Sequence, residues 1–374
     1  MKTQCAVLYQ LGTPAPYADS RPLAIEDADL AAAGPGEVLV EVKAAGLCHS
    51  DLSLIDGTRP RPVPIVVGHE AAGIVREVGS GVTAVKPGDH VVFSYVPICG
   101  RCAFCLSGRP ALCEPGSRAN AQGVLLTGAT RFSGKAGQLK HHMGVAGFSR
   151  FTVAAQESLI RVPEDFPLDK AALFGCAVLT GVGAVLNTAK VEPGQSVAVL
   201  GLGGVGLNAV MGAVVAGAST IVAVDLLASK FELARSLGAT HTVAAGEGDP
   251  IAAVREITGG GVDVAFECAG ATQALSLAFA VTRRGGTTVA VGLPHAERTA
   301  AIPHSQLVGE ERQLLGSYMG SCIPPRDVLR FMALHRAGRL PVDRLISRSI
   351  SLGEINQAFD RLARGEAIRQ VLAF

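Results

Sequence analysis

Ser196-Val-Ala-Val-Leu-Gly-Leu-Gly-Gly-Val-Gly206 is the stretch on which the reading of this chain turns. A short apolar run of strand length enters Gly201, Gly203, Gly204, Val205 and Gly206, and an apolar stretch of helical length, Val205 to Ala216, follows. Glycines here permit a tight turn and close backbone approach, so that amides at the start of the helix can face a pyrophosphate. G-x-G-x-x-G alone is a weak signal, but the next apolar run ends in Asp225, a carboxylate placed to accept bonds from both hydroxyls of an adenosine ribose. That carboxylate repels a 2′-phosphate, and Leu226 and Leu227 offer no arginine to hold one. The expected cofactor is therefore NAD and not NADP, with Lys230 in reach of the same ribose. The competing reading is an ordinary glycine turn with a surface aspartate.

Outward from the turn, apolar runs alternate with helix-like stretches: Thr220 to Val224, then Ser229 to Leu237, with further runs at Val262 to Glu267 and Thr287 to Val291. Such alternation predicts a parallel sheet buried on both faces. Before about residue 175 the pattern differs. Glu37 to Ala44, Ala71 to Val78, His90 to Tyr95 and Ser149 to Val153 are short β segments separated by glycine and proline. β character returns near Ile346, and a helix over Leu352 to Arg364 followed by a last strand over Ala367 to Phe374 predicts that the C-terminal stretch rejoins the first domain. The expected class is α/β: a mostly β domain plus a doubly wound parallel-sheet domain, since 374 residues exceed one ordinary core.

Hydrophobic residues at 48% against 17% charged exclude a disordered or fibrous chain. Lys plus Arg (33) nearly balances Asp plus Glu (32), with no basic run interleaved with aromatics, so no nucleic-acid partner is expected. The apolar region Ser196 to Val224 is interrupted by glycines, Asn208, Ser219 and Thr220, and reads as strand, turn and helix and not as a membrane span. Met1 to Leu11 lacks the pattern of a cleavable leader. Nine cysteines, an odd number and mostly placed to ligate metal, fit a reducing cytoplasm. Cys5, Cys268 and Cys322 read as ordinary thiols.

Cys99, Cys102, Cys105 and Cys113 offer four soft ligands within one loop. Zinc accepts such a tetrahedral thiolate set, and a cage with every position taken by protein holds a loop and leaves none for substrate. Two disulfides are the alternative, disfavoured because three cysteines at two-residue gaps in a short loop cannot pair without strain.

A second set is scattered: Cys48, the pair His69-Glu70 after Gly68, and Cys176. Two thiolates and an imidazole would bind zinc with a fourth position open, where the metal acidifies an alcohol and polarises an aldehyde. Asp51 could accept the second ring N–H of His69 and fix its tautomer, and Glu70 is an alternate ligand or a support for the ligands. Taken residue by residue, two buried cysteines and a core histidine explain the same letters.

Cys48-His-Ser-Asp51, Gly68-His-Glu70, the four-cysteine loop, Cys176, the glycine turn with Asp225, and Ile368-Arg-Gln370, in that order over the whole length, resemble the zinc-dependent medium-chain alcohol dehydrogenases. The resemblance implies a GroES-like catalytic domain, residues 1–177 and 321–374, a Rossmann domain, residues 178–320, and an active-site cleft between them. It implies a catalytic zinc on Cys48, His69 and Cys176, with Ser50 bonding the substrate oxygen, His49 and Arg369 at the pyrophosphate, and Thr180 and Leu293 at the nicotinamide end. Ser53 departs from the histidine that ends the proton relay in well-known animal members, and His49 stands where many relatives have arginine.

The resemblance also puts Tyr95, His142, Met143, Leu293 and Met319 around the substrate, with Thr58 and Arg59 near its mouth. This mixed, mostly apolar lining suits primary alcohols with aromatic, allylic or longer aliphatic groups. A second expectation is the glutathione-adduct branch, for which His141 to Phe148 and Arg118 speak, while Asp56-Gly-Thr-Arg59 lacks its acidic pair. A non-catalytic relative is the alternative of another class. A homodimer is expected, joined by sheet edges near Ala300 to Pro303, with a tetramer as the alternative; no membrane partner is expected.

Overall fold

The computed structural model describes residues 1–374. Backbone packing resolves two compact units: Met1–Cys176 with Ile323–Leu329 and Val342–Phe374, and Ala177–Cys322 with Arg330–Pro341. Residues 321–322 and 330–341 thus cluster with the second unit, whereas the sequence reading placed 321–374 with the first.

In the first unit, strands Lys2–Leu8, Leu23–Leu30, Phe132–Gly134, Gly137–His141 and Ile65–Val66 close a small barrel. Beside it lies a seven-stranded sheet organised on Glu37–Gly46, which pairs antiparallel with Glu70–Val78, Phe151–Ala155 and the C-terminal strand Arg369–Ala373. The chain's end is therefore an inner strand of the first unit, lying between Ile346–Ile350 and Glu37–Gly46. Helix Ile355–Ala363 adds a second tie, because the Asp360 carboxylate accepts the amides of Tyr17 and Ala18 at 2.7 and 2.8 Å. Phe148 and Phe359 meet edge to face at 6.2 Å in the core these elements share, each buried ring contributing about 1.5–3 kcal/mol.

The second unit is a six-stranded parallel sheet in the spatial order His241–Ala244, Thr220–Asp225, Ser196–Leu200, Val262–Glu267, Thr282–Ala290, Gln313–Gly316. Burial on both faces explains why the three central runs, Thr220–Asp225, Ser196–Leu200 and Val262–Glu267, lack alternation. Strand order reverses at Ser196–Leu200, whose neighbours come from later in the chain on either side, and the glycine turn leaves the carboxyl end of that strand. This is the switch point where open α/β sheets bind ligands. Helices Pro250–Thr258 and Thr272–Val281 flank the sheet, and the first starts where Asp249 accepts the amides of Ile251 and Ala252. Residues 300–303 form no strand; the sheet's edges are His241–Ala244 and Gln313–Gly316. No single helix is long and apolar enough to cross a membrane.

Candidate active site and metal centres

Cys48, His69 and Cys176 converge within the first unit. Cys48 ends the turn after Glu37–Gly46 and is the N-cap of helix His49–Ile55; its side chain accepts the Asp51 amide while the Asp51 carboxylate accepts the Cys48 amide at 3.1 Å. His69 sits immediately before strand Glu70–Val78. Gly68, at φ +94°, makes that placement possible, since a Cβ there would overlap Phe148. Cys176 follows a short 3₁₀ turn, Ala172–Gly175, and precedes helix Ala177–Gly183.

The three ligand atoms lie within 4.8 Å of one another, and all three residues are buried. His69 Nδ1 is 2.8 Å from Asp51 Oδ1, which fixes Nδ1 as the protonated nitrogen and leaves Nε2 as the ligand atom. A hydrogen bond from the Cys176 thiol holds Cys48 well below an ordinary thiol, and the same bond with burial holds Cys176 well above one. Burial opposes a proton on His69, and the Asp51 carboxylate overrides it, so the ring's pKa is well raised. Two soft sulfurs and one ring nitrogen, dry and mutually within ligand spacing, fit a zinc ion held by three protein donors.

Around this trio, Tyr95 stands edge-on to His69 at 5.7 Å between ring centroids and His142 at 5.5 Å, with buried Met143 next in the chain. His142 Nδ1 lies 3.2 Å from Asp51 Oδ1. Glu70 is fully buried and pairs through Oε1 with Arg369 Nη2, while Glu70 Oε2 and Arg369 Nε have no partner. Arg369 is thus seen against Glu70, a pairing that the sequence reading, which gave it to a pyrophosphate, did not contain. Its signal was faint: an acid and a base 299 positions apart, joined only because the C-terminal strand docks beside Glu37–Gly46. Ser50 is half-buried and His49 exposed, both in the first turn after Cys48.

The four-cysteine loop forms a separate cluster. Cys102 caps helix Ala103–Leu106 and Cys113 precedes Glu114–Gln122. Sulfur separations of 3.5 Å (Cys102 to Cys105) and 4.0 Å (Cys99 to Cys105) are far too long for disulfides, and all nine cysteines are free. They match the ~3.8 Å edge of a tetrahedron of sulfurs about 2.3 Å from zinc. Amides of Cys99 and Cys102 point at the sulfurs of Cys113 and Cys99, at 3.3 and 3.4 Å. The Cys105 backbone pulls the Cys102 thiol down to about 6, and burial pushes Cys105 up to about 12. This cluster, too, fits zinc.

In the second unit, Gly201 has φ +92°, and a Cβ on Gly201 or Gly206 would overlap Ala269 or the Gly201 carbonyl. Helix Gly204–Ala216 begins there with no side chain capping it, so its first amides are available to a ligand. Asp225 ends its strand and accepts the amides of Leu202 at 2.6 Å and Leu227 at 2.9 Å, with Lys230 Nζ at 3.1 and 3.2 Å from its oxygens. Thr180 and Met319 are buried in this unit, and Leu293 is half exposed. Sequence reasoning missed Glu267, whose buried carboxylate accepts the amides of Ala269 and Gly270 and ties down the loop after its strand.

Residues 34–164 match the alcohol dehydrogenase GroES-like domain and residues 204–335 match the zinc-binding dehydrogenase domain. The chain therefore belongs to the zinc-dependent medium-chain alcohol dehydrogenase family, a family of oxidoreductases. Within it, the chain is 40% identical over 376 residues to the putative alcohol dehydrogenase D of Mycobacterium tuberculosis, covering 100% of both. It is 39% identical over 378 residues to an S-(hydroxymethyl)glutathione dehydrogenase of Synechocystis, again covering 100% of both. The crystal structure of benzyl alcohol dehydrogenase from Acinetobacter calcoaceticus superposes with a TM-score of 0.93 at 32% identity, over 100% of this chain and 99% of that one. Zinc and a nicotinamide dinucleotide are the cofactors that family membership brings.

Proposed function

We propose that this chain interconverts a primary alcohol and its aldehyde by hydride transfer with NAD, at the site formed by Cys48, His69 and Cys176. The observation that carries the reading is the buried convergence of those three donors, with Asp51 hydrogen-bonded behind His69. Zinc, when bound there, acidifies a substrate hydroxyl and polarises a carbonyl. The chain's own residues do the rest. Asp51 holds the imidazole in one tautomer and orientation, and the Cys48 cap sets the first helical turn so that Ser50 follows directly. Ser50 Oγ would hydrogen-bond the substrate hydroxyl and relay its proton, giving up its own O–H proton toward solvent as it takes the substrate's, while a bound NAD would supply the acceptor for the hydride that leaves the carbon with its electron pair. The amides after Gly203 hold the pyrophosphate and Asp225 the adenosine ribose, which selects NAD against NADP.

Tyr95 and His142 stand in T-shaped contact with His69 as partly apolar ring neighbours of the metal ligands, which supports an aromatic or allylic alcohol as substrate. A glutathione adduct is the second reading, favoured by full-length similarity to an S-(hydroxymethyl)glutathione dehydrogenase. A panel of alcohols with NAD and with NADP, followed by absorbance of the reduced cofactor, tests both. Benzyl alcohol turnover exceeding that of S-hydroxymethylglutathione supports the first, and the reverse order supports the second. Metal analysis separates either from a scaffold protein: one zinc in the cage and one at the open site for the enzyme, the cage ion alone for the scaffold. A homodimer in the cytoplasm completes the proposal, checked by light scattering of the purified protein.

A further inference from the structure

Asp51 serves two histidines, and only one of them is explained by the chemistry above. Its Oδ2 accepts the Cys48 amide at 3.1 Å, and its Oδ1 accepts His69 Nδ1–H at 2.8 Å. His142 Nδ1 faces the same Oδ1 at 3.2 Å, is buried, and has no aligned hydrogen-bond partner of its own. A lone pair held that close to a carboxylate oxygen is repelled, so the proton of the neutral ring belongs on Nδ1 and the donor on Asp51. Asp51 then faces N–H groups from three segments, two hydrogen-bonded to it from the Cys48 turn and the His69 loop, and a third, close but unaligned, from the turn His142–Gly144.

The backbone beneath His142 is built to hold it there. The next residue, Met143, stands at φ +52°, a left-handed conformation that costs a long side chain free energy and persists only where its surroundings impose it. The amides of Val145 and Ala146 both bond to the His142 carbonyl, and Thr152 Oγ1 donates to the Val145 carbonyl at 2.8 Å. The ring itself is clamped by its edge contact with His69.

We propose that His142 is a positioning residue for the metal ligand His69, acting through Asp51. The His142 Nδ1–H, 3.2 Å from Asp51 Oδ1 though not aligned as a full hydrogen bond, attracts that carboxylate oxygen electrostatically, opposes its turning about the side-chain bonds, and so fixes the direction from which His69 is held. The inference rests on Cys48, His69 and Cys176 being metal ligands, as proposed above.

The test uses the full-length protein with its cage ion retained and Co(II) placed at the open site, comparing His142→Phe, which keeps a ring but loses the N–H, with His142→Asn, which keeps an N–H near the Nδ1 position. His142→Phe is expected to release Co(II) to a chelator on the order of tenfold faster and to shift the cobalt absorption bands, as loss of a group supporting a ligand does. His142→Asn is expected to remain near wild type in both. In an Asp51→Asn background, His142→Phe is expected to add nothing further, because the shared partner is already changed. Release and spectrum of His142→Phe equal to wild type overturn the proposal, as does a His142→Asn variant impaired as badly as His142→Phe, which would assign the effect to ring packing. A His142→Phe effect that persists undiminished with Asp51→Asn also overturns it. Wild-type protein that takes up no metal beyond the cage ion overturns the ligand reading itself, a result distinct from a bound ion whose release ignores His142.

Discussion

The two cysteine clusters in the first unit are built in opposite ways. Cys99, Cys102, Cys105 and Cys113 come from one loop, three of them half-buried, with the amides of neighbouring cysteines turned onto the sulfurs. Cys48, His69 and Cys176 come from three remote segments, are all buried, and are aimed by a strand end, a glycine turn and a 3₁₀ turn. A contiguous cage carries its geometry in its own spacing, whereas a converged site borrows its geometry from the surrounding fold. The first has its four positions filled by protein; the second supplies three donors, with carboxylate and aromatic groups packed around them.

Substitutions can pull the two apart. Cys176→Ser is expected to lower kcat by on the order of a thousand-fold while the cage ion stays bound, measured by steady-state rates beside metal analysis. Loss of both ions would show that the clusters are not independent. Ser50→Ala is expected to cost roughly a hundredfold in kcat, and Ser53→Ala little, which places the proton path on the first turn after Cys48; equal losses would make Ser53 integral to it. Asp225→Gly is expected to raise the NAD KM by about tenfold and to improve use of NADP, read from KM ratios for the two cofactors. Unchanged preference would remove the carboxylate from ribose recognition. Cys105→Ser has the smallest expected effect on turnover: kcat in the cold stays near wild type, the cage ion is lost, and the thermal midpoint falls by about 5–10 °C in a scanning melt. A large fall in kcat at constant fold would join the cage to the chemistry.

Legibility in the sequence follows the same division. The glycine turn, Asp225 and the four-cysteine loop are local patterns, and each lies at the strand end or loop where the spacing put it. Strand Ser196–Leu200 matches its apolar run residue for residue, because a strand buried on both faces leaves no periodicity to misread. The Asp51 to His69 bond was foreseeable once His69 was taken for a ligand. His142 meeting Asp51 was not, because the two lie 91 positions apart and the turn that carries His142 includes a left-handed Met143 that no letter announces. Glu70 with Arg369 was hidden for another reason: the partners meet through strand pairing across nearly the whole chain. Convergence is tertiary information, which local patterns do not encode.

Cys48 has a second job that sets how it can be probed. As N-cap it accepts an amide of the first turn of His49–Ile55, and serine is a better cap than alanine by roughly 1 kcal/mol. Exchanging sulfur for a hydroxyl at this position would therefore keep the helix's entry intact while replacing a soft donor by a hard, protonated one, whereas alanine would unpick both at once. Hydroxyl and methyl at residue 48, compared side by side, would divide what this atom does for the scaffold from what it does for the ion.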